Sequence, residues 1–278
     1  MRGRADLHLH TVHSDGYLTC PELLEKIRGL KLEVFAVTDH DTVEGCREMQ
    51  TLVKEDDPEL MTGIELSADH EGHEVHLLGY GFDPEDKALN GRILFMEEMR
   101  NQRGALMVQK LKEAGAEISL EELERCAGNA AIGRAHVARV LISRGIVSTF
   151  EEAFRLYIGN NGPGFVPKQN PDTAEAIELL HQAGGVVVLA HPWVSGVTES
   201  IPVLKEQGLD GVEVHHPDHR QSQVDKLKHQ AAELDLLITG GSDFHGQPGR
   251  CPAIGGEPVT IEICDRLKEA IANRRTQA

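Results

Sequence analysis

The chain has 278 residues, of which 40% are hydrophobic, 26% charged and 4% aromatic. At about 100–200 residues per domain this allows one large domain or two moderate ones with a real core, and excludes a low-complexity or disordered chain. Lys and Arg number 28 against 45 Asp and Glu, a net charge of −17, which repels phosphodiester backbones and excludes a general nucleic-acid-coating role. The first twenty residues lack the apolar stretch of a secretory signal and no run approaches a membrane span. The five cysteines (Cys20, Cys46, Cys126, Cys251, Cys264) form no C-x-x-C pair. The expected setting is the reducing cytoplasm, with no membrane role, no disulfide framework and no obligate protein partner.

In chain order, short apolar or alternating runs predict strands at 5–10, 34–38, 61–65 and 74–78, then after a long gap at 186–190, 211–214 and 236–239. Helix-like stretches such as 21–31 and 173–183, with Pro near a start and Gly at an end, follow most of them. This rhythm of βα units predicts a closed or nearly closed parallel barrel, with functional groups at the C-terminal strand ends.

Read to their ends, the runs give His8 and His10, Thr38-Asp39-His40-Asp41, Glu65, His76, His191, His215-His216 and Asp243-Phe244-His245. A single histidine at a strand end is ordinarily a locally satisfied structural group, but polar ligand-type residues at the end of every predicted strand are not explained that way. Residues two apart face one side of a strand, so His8/His10 and Asp243/His245 each present two ligands together. Imidazole and carboxylate without thiolate suit Mn, Fe or Zn, and so many ligands exceed what one zinc takes, which predicts two to three divalent ions. His13, His70, His181 and His229 fall in turns or helical stretches and are expected as solvated surface groups. His73 is expected on the face opposite His76, and His215, His216 and His219 as substrate-side or supporting groups.

Five motifs in order, D-L-H-L-H-T-x-x-S-D-G from Asp6, T-D-H-D-T from Thr38, G-I-E-L-S from Gly63, A-H-P from Ala190 and S-D-F-H from Ser242, resemble the PHP (polymerase and histidinol phosphatase) family over essentially the whole chain. The resemblance implies an α/β fold, a distorted (β/α)7 barrel with an inserted helical cap subdomain. It also implies a trinuclear ligand set: His8, His10, Glu65 and Asp243 on one metal, Glu65 bridging to a second held by His76 and His191, and Asp15, His40 and His245 on a third. Manganese is the metal expected first, with iron or zinc as alternatives. Glu65 and Asp243 are the expected catalytic residues, with a hydroxide shared by two metals as nucleophile and His219 as proton donor to the leaving group.

About a hundred residues separate the fourth and fifth strands, too many for one βα connection, so a barrel of 1–90 and 167–278 is expected to carry an inserted subdomain at 91–166. That insert has ten Lys/Arg and nine Glu, a balance of +1 that leaves −18 on the rest. A helical wheel from Met96 places Arg100 and Arg103 inside an apolar stripe with Met99, Leu106, Met107 and Leu111, where a cation is costly unless it meets an anion. Arg134 falls in the first turn of another predicted helix, a position suited to a phosphate. The stretches Arg100-Asn101-Gln102-Arg103 and Gly133-Arg134-Ala135-His136 are similar to the family branch of 3′,5′-nucleoside bisphosphate phosphatases and 5′→3′ exoribonucleases. This implies that Arg100, Asn101, Arg103, Arg134, His136 and Lys168 hold a small nucleotide substrate, or short RNA. The expected reaction is removal of the 3′-phosphate from a nucleoside 3′,5′-bisphosphate. The alternatives are exoribonuclease, histidinol-phosphate phosphatase, and a non-catalytic binding module, the last of which would show missing ligands.

Overall fold

The computed structural model describes residues 4–247 and 252–277, so Cys251 lies outside the described residues. The chain divides into two compact units, residues 1–90 with 170–278, and residues 91–169. All seven predicted strands form. The first stretch contains β1 (Arg4–Leu9), α1 (Cys20–Arg28), β2 (Leu32–Val37), α2 (Glu44–Leu52), β3 (Glu59–His70) and β4 (His73–Tyr80). Next come α3 (Lys87–Glu113), α4 (Leu120–Ala127), α5 (Arg134–Ser143) and α6 (Phe150–Ala153), the last running into a π-turn at 154–158. The rest comprises α7 (Thr173–Gln182), β5 (Val186–Leu189), α8 (Pro192–Ser195), α9 (Ile201–Glu206), β6 (Gly211–His215), α10 (Gln221–Glu233), β7 (Leu237–Gly240) and α11 (Ile261–Gln277).

The strands form one seven-stranded sheet in sequence order, β1 through β7. Two observations show that it curls. Phe244, just after β7, pairs back with Leu9 at the end of β1, and Tyr80 on β4 donates its hydroxyl to the Leu7 carbonyl on β1 at 2.9 Å although these strands are not neighbours. The expectation of an all-parallel barrel is corrected at one strand: β4 runs antiparallel to both β3 and β5. A two-residue connection, Glu71-Gly72, joins β3 to β4, and both residues have positive φ (53° and 84°), the geometry of a tight hairpin turn. A parallel return would need a dozen or more residues.

Local chemistry sets the helix ends. Thr19 caps α1 reciprocally with Glu22, and Asp172 caps α7 through the Glu175 N–H, each worth about 0.5–2 kcal/mol. The sheet unit buries Ala5, Leu7, Val34, Ala36, Leu78, Tyr80, Val186 and Val188 with Leu267 of α11, while Leu23, Leu24 and Ile27 of α1 pack with Phe35, Val37 and Met49. At about 1.5–3 kcal/mol per large apolar side chain, this packing fixes the strand ends from which the polar groups project.

The unit of residues 91–169 has its own core, in which Met107 and Leu111 of α3 pack with Leu123, Val137, Leu141 and Ile158. On α3 the buried stripe differs from the wheel: Leu106 is 52% exposed, whereas Arg100 and Arg103 are buried at 9% and 5% exposure. Arg103 is held there by donating Nε–H to the Val166 carbonyl at 2.7 Å.

Candidate metal centre

The side chains of β1, β3, β4 and the loops after β1, β2, β5 and β7 converge on one carboxylate. Glu65 is fully buried, and its two oxygens face different partners. Oε2 lies 3.2 Å from His8 Nε2, 3.2 Å from His10 Nε2 and 3.1 Å from His40 Nδ1. Oε1 lies 2.9 Å from His76 Nδ1 and 3.0 Å from His191 Nε2. Asp243 Oδ1 sits 3.4 and 3.2 Å from the same nitrogens of His8 and His10, and Asp15 Oδ1 sits 3.2 Å from His245 Nε2 and 3.9 Å from His40 Nε2. All nine residues expected as ligands therefore lie in one cluster.

Two strand-level details produce this convergence. Glu65 is not at a strand end as expected, because β3 continues to His70. The antiparallel sense of β4 explains how His76, in the first half of that strand, reaches the end of the sheet where parallel strands finish; it pairs with Ser67, two residues beyond Glu65. Asp41, His191 and Asp243 hold left-handed backbone (φ 53°, 28° and 49°), conformations that cost about 1–3 kcal/mol for a non-glycine residue and persist only where the surroundings enforce them. Gly241 is required beside them, since a Cβ there would stand 2.4 Å from His8 Cβ and 2.5 Å from His8 N.

Behind the cluster stands a layer of carboxylates, of which sequence reasoning did not single out Glu213. Glu213 on β6 accepts His8 Nδ1–H at 2.8 Å on Oε1 and the His191 backbone N–H at 2.8 Å on Oε2. With Nδ1 protonated, His8 presents the lone pair of Nε2 to the cluster. His245 is set likewise, Nδ1 donating to the Asp243 carbonyl at 2.9 Å. The aspartates flanking His40 brace loops: Asp39 accepts from Thr11 N–H (2.7 Å), Thr11 Oγ1 (2.6 Å) and Ser14 Oγ (2.6 Å), and Asp41 from Ser67 N–H (2.6 Å) and Oγ (2.9 Å). The signal for Glu213 was present as one charged residue inside the apolar run 211–214.

The electrostatics are those of a charge cluster built around cations. Burial alone would raise Glu65, Asp15 and Asp243, yet all three are held well below the usual carboxylate range by the surrounding histidines. Burial would lower His245, but Asp15 and Asp243 carry it up to about 10. Burial wins at His40, which falls to about 3.

The donor set fits divalent metal ions. His10 Nε2 and His40 Nδ1 are buried and make no hydrogen bond, yet face carboxylate oxygens. Metal–ligand bonds of about 2.0–2.2 Å place neighbouring ligand atoms about 3 Å apart, the spacing seen. The groups His8–His10–Glu65–Asp243, His10–Asp15–His40–His245 and His40–Glu65–His76 each bring their ligand atoms within 4.8 Å of one another.

The remaining histidines divide. His73 is exposed, as expected from alternation with His76, and His229 is 77% exposed. Expected surface positions are corrected at His70, which is buried and 3.3 Å from Thr173 Oγ1, and at His181 and His13, which meet Asp210 and Glu48 at 2.8 and 2.5 Å. His216 lies 3.4 Å from Asp243, and the His219 ring lies 5.2 Å from that of His216, tilted by 50°. His219 donates Nδ1–H to the Val214 carbonyl at 3.0 Å, and burial pushes it below its ordinary value. A neutral ring protonated at Nδ1 has a lone pair at Nε2, so His219 is set to accept a proton there.

In the second unit four of the expected substrate residues have identified partners. Asn101 Oδ1 accepts the Ile132 N–H at 3.2 Å, tying α3 to the start of α5, where Arg134 is the first helical residue and His136 Nδ1 accepts from Gly133 N–H at 3.1 Å. Arg134 donates to Asn160 Oδ1 at 3.0 Å and lies 5.5 Å over the Phe154 ring. Arg103 reaches Val166, two residues before Lys168, which is partly buried.

Comparison with known proteins decides the family: the PHP domain matches residues 6–153. The chain belongs to the PHP family. PHP relatives extend the likeness nearly end to end. A 5′-3′ exoribonuclease of Haemophilus influenzae is 34% identical, covering 88% of this chain and 91% of its own. A phosphoribosyl 1,2-cyclic phosphate 1,2-diphosphodiesterase of Eggerthella lenta is 33% identical over 90% and 97%. A 3′,5′-nucleoside bisphosphate phosphatase of Chromobacterium violaceum is 32% identical over 88% and 89%. Among solved structures, one from Bifidobacterium adolescentis, titled as a metal-dependent phosphoesterase assigned by similarity, superposes with TM-score 0.89 at 31% identity over 96% of both chains. This PHP protein is an enzyme of the phosphoesterase class, hydrolysing phosphate esters with the aid of metal ions. No helix among the described residues is long and apolar enough to cross a membrane.

Proposed function

We propose that this PHP enzyme removes the 3′-phosphate from nucleoside 3′,5′-bisphosphates, leaving 5′-mononucleotides, and uses two to three divalent ions, manganese first, in the reducing cytoplasm. The observation that carries the reading is Glu65, whose two oxygens face separate sets of histidines. His8, His10, Glu65 and Asp243 would hold one ion, Glu65, His76 and His191 a second, and Asp15, His40 and His245 a third. Divalent ions bound there supply the Lewis acidity that activates water and draws charge from the phosphoryl oxygens.

The chain's own residues do the rest. Glu65, Asp243 and Asp15 would balance the charge of the bound ions, and Glu213 keeps His8 in the tautomer protonated at Nδ1. His219, neutral with its lone pair at Nε2, takes up a proton there and hands it to the leaving oxygen. Arg100, Arg103, Arg134 and Lys168, with Asn101 and His136, bind the phosphate that is not cleaved. Charge-assisted bonds from guanidinium to phosphate suit that task, and orienting the substrate lowers the entropic part of the activation barrier.

A second reading, 5′→3′ exoribonuclease on short 5′-phosphorylated RNA, is favoured by the name of the Haemophilus relative. Adenosine 3′,5′-bisphosphate, 5′-AMP, histidinol phosphate and a 5′-phosphorylated RNA oligomer, each assayed with Mn²⁺, test both. The bisphosphate should show the highest kcat/KM. Faster turnover of the oligomer establishes the second reading, and preference for histidinol phosphate overturns both.

A further inference from the structure

A second group of metal-type ligands lies outside the nine-residue cluster. His13 in the loop after β1, Cys20 at the first position of α1 and Glu48 in the middle of α2 come from three segments, and their Nε2, Sγ and carboxylate oxygen all lie within 4.8 Å of one another. His13 Nε2 is 2.5 Å from Glu48 Oε2. Cys20 is fully buried, and its thiol reaches the Gly45 carbonyl at 3.5 Å. The His13 and Glu48 side chains are 23% and 40% exposed, so the pocket has a sulfur floor and an open rim.

Each ligand is held by its own element. Thr11 Oγ1 accepts the His13 backbone N–H at 3.2 Å, the Thr19–Glu22 capping box fixes the first turn of α1, and α2 presents Glu48 one turn after Gly45. Gly45 allows the close approach of α2, because a Cβ there would meet Asp39 Oδ2 at 1.9 Å. The chemistry differs from that of the nine-residue cluster, which has imidazole and carboxylate donors only. One thiolate, one imidazole and one carboxylate make a borderline-soft set of the kind zinc takes in four-coordinate sites, with water in the remaining position.

We propose that His13, Cys20 and Glu48 form a mononuclear site for a thiophilic divalent cation of the zinc class, separate from the nine-residue cluster. Burial, with Glu48 and Asp39 nearby, pushes the Cys20 thiol up, so the free pocket keeps its sulfur protonated. The cation displaces that proton to solvent, forming the metal–sulfur bond as the S–H bond is lost, and the N-terminal end of α1 favours the resulting thiolate. A bound ion also ties the loop that carries Asp15 to both α1 and α2.

Co²⁺ titration of the full-length protein tests this. Nitrogen and oxygen ligands give cobalt only weak visible bands, whereas a thiolate ligand gives an intense sulfur-to-cobalt charge-transfer band in the near ultraviolet. In the wild type the band should level off at the intensity of one thiolate ligand per chain, whatever the nine-residue cluster takes up; it should vanish in Cys20→Ser and require about tenfold or more Co²⁺ in His13→Gln and Glu48→Gln, which keep the thiol. Absence of the band in the wild type overturns the site. So does its survival in Cys20→Ser, and so does an unchanged titration in both glutamine variants, whether or not Cys20→Ser folds.

Discussion

Glu65 illustrates how much one buried charge must have around it. A fully buried carboxylate is costly alone, and here it sits within about 3 Å of histidines on both oxygens, an arrangement that cations complete. Glu65→Gln removes the charge and leaves one good ligand oxygen. Metal content by elemental analysis should fall by at least one ion per chain, and kcat/KM by more than about hundredfold. Near-normal activity would show that Glu65 does not join two ions. Glu213→Gln puts an amide NH₂ against one of two donors, His8 Nδ1–H or His191 N–H. It should weaken metal binding about 10–100-fold, with activity recovering when metal is raised; failure to recover would mean that Glu213 acts on more than ligand orientation. The contrast between these two glutamates shows what was legible. Glu65, His8, His10, His40, His76, His191, Asp243 and His245 were visible because ligand types recur at or near successive strand ends, whereas Asp15 came only with the family resemblance. Glu213 is defined by what it touches across the sheet, and only its oddity within an apolar strand marked it.

At the scale of elements, strand positions were legible and strand direction was not. Alternation of apolar and polar residues has the same period in either direction, so β4 read as one more parallel strand; the short Glu71-Gly72 link was the missed clue. The buried arginines of α3 were legible because a helical wheel reports angle, but it does not report which side the core is on, which is why Leu106 was misplaced. Asp210 shows how elements are then stitched together. Its carboxylate accepts from Val187 N–H of β5 (2.8 Å), His181 of α7 (2.8 Å) and Arg274 of α11 (2.6 Å). Burial would raise Asp210, but His181, the Val187 N–H and Arg274 hold it below its ordinary value. A carboxylate depressed in the folded state adds stability in full above the unfolded value of about 3.9, and loses it as pH falls through the folded value. Asp210→Asn should therefore cost about 1–3 kcal/mol at pH 7 by urea denaturation, with the gap to wild type narrowing below about pH 4. A gap that stays constant down to pH 2 would show that shape rather than charge holds these elements.

For the whole molecule, the charge is divided along the chain: residues 91–166 carry +1 while the remainder carries −18. In the proposed function the acidic part concentrates metal ions and the inserted unit receives the anion, so binding and chemistry belong to different units. That division can be tested with substrates of one and two phosphates. A nucleoside bisphosphate calls on both sets of residues, whereas p-nitrophenyl phosphate has a single phosphoryl group and calls only on the metal ligands. Replacing Arg100, Arg103 or Arg134 with Ala removes charge-assisted bonds worth about 1.5–3 kcal/mol each, or about ten- to a hundredfold in kcat/KM. The loss should fall on the bisphosphate, with hydrolysis of the small ester and metal content unchanged, and exposed Arg125→Ala on the same unit should alter neither. Arg103 also holds Val166, so thermal unfolding of each variant separates lost binding from lost packing. Equal losses on both substrates would mean that the arginines support the fold or the metal cluster. No loss on either would remove them from the substrate path, and with them the case for a bisphosphate.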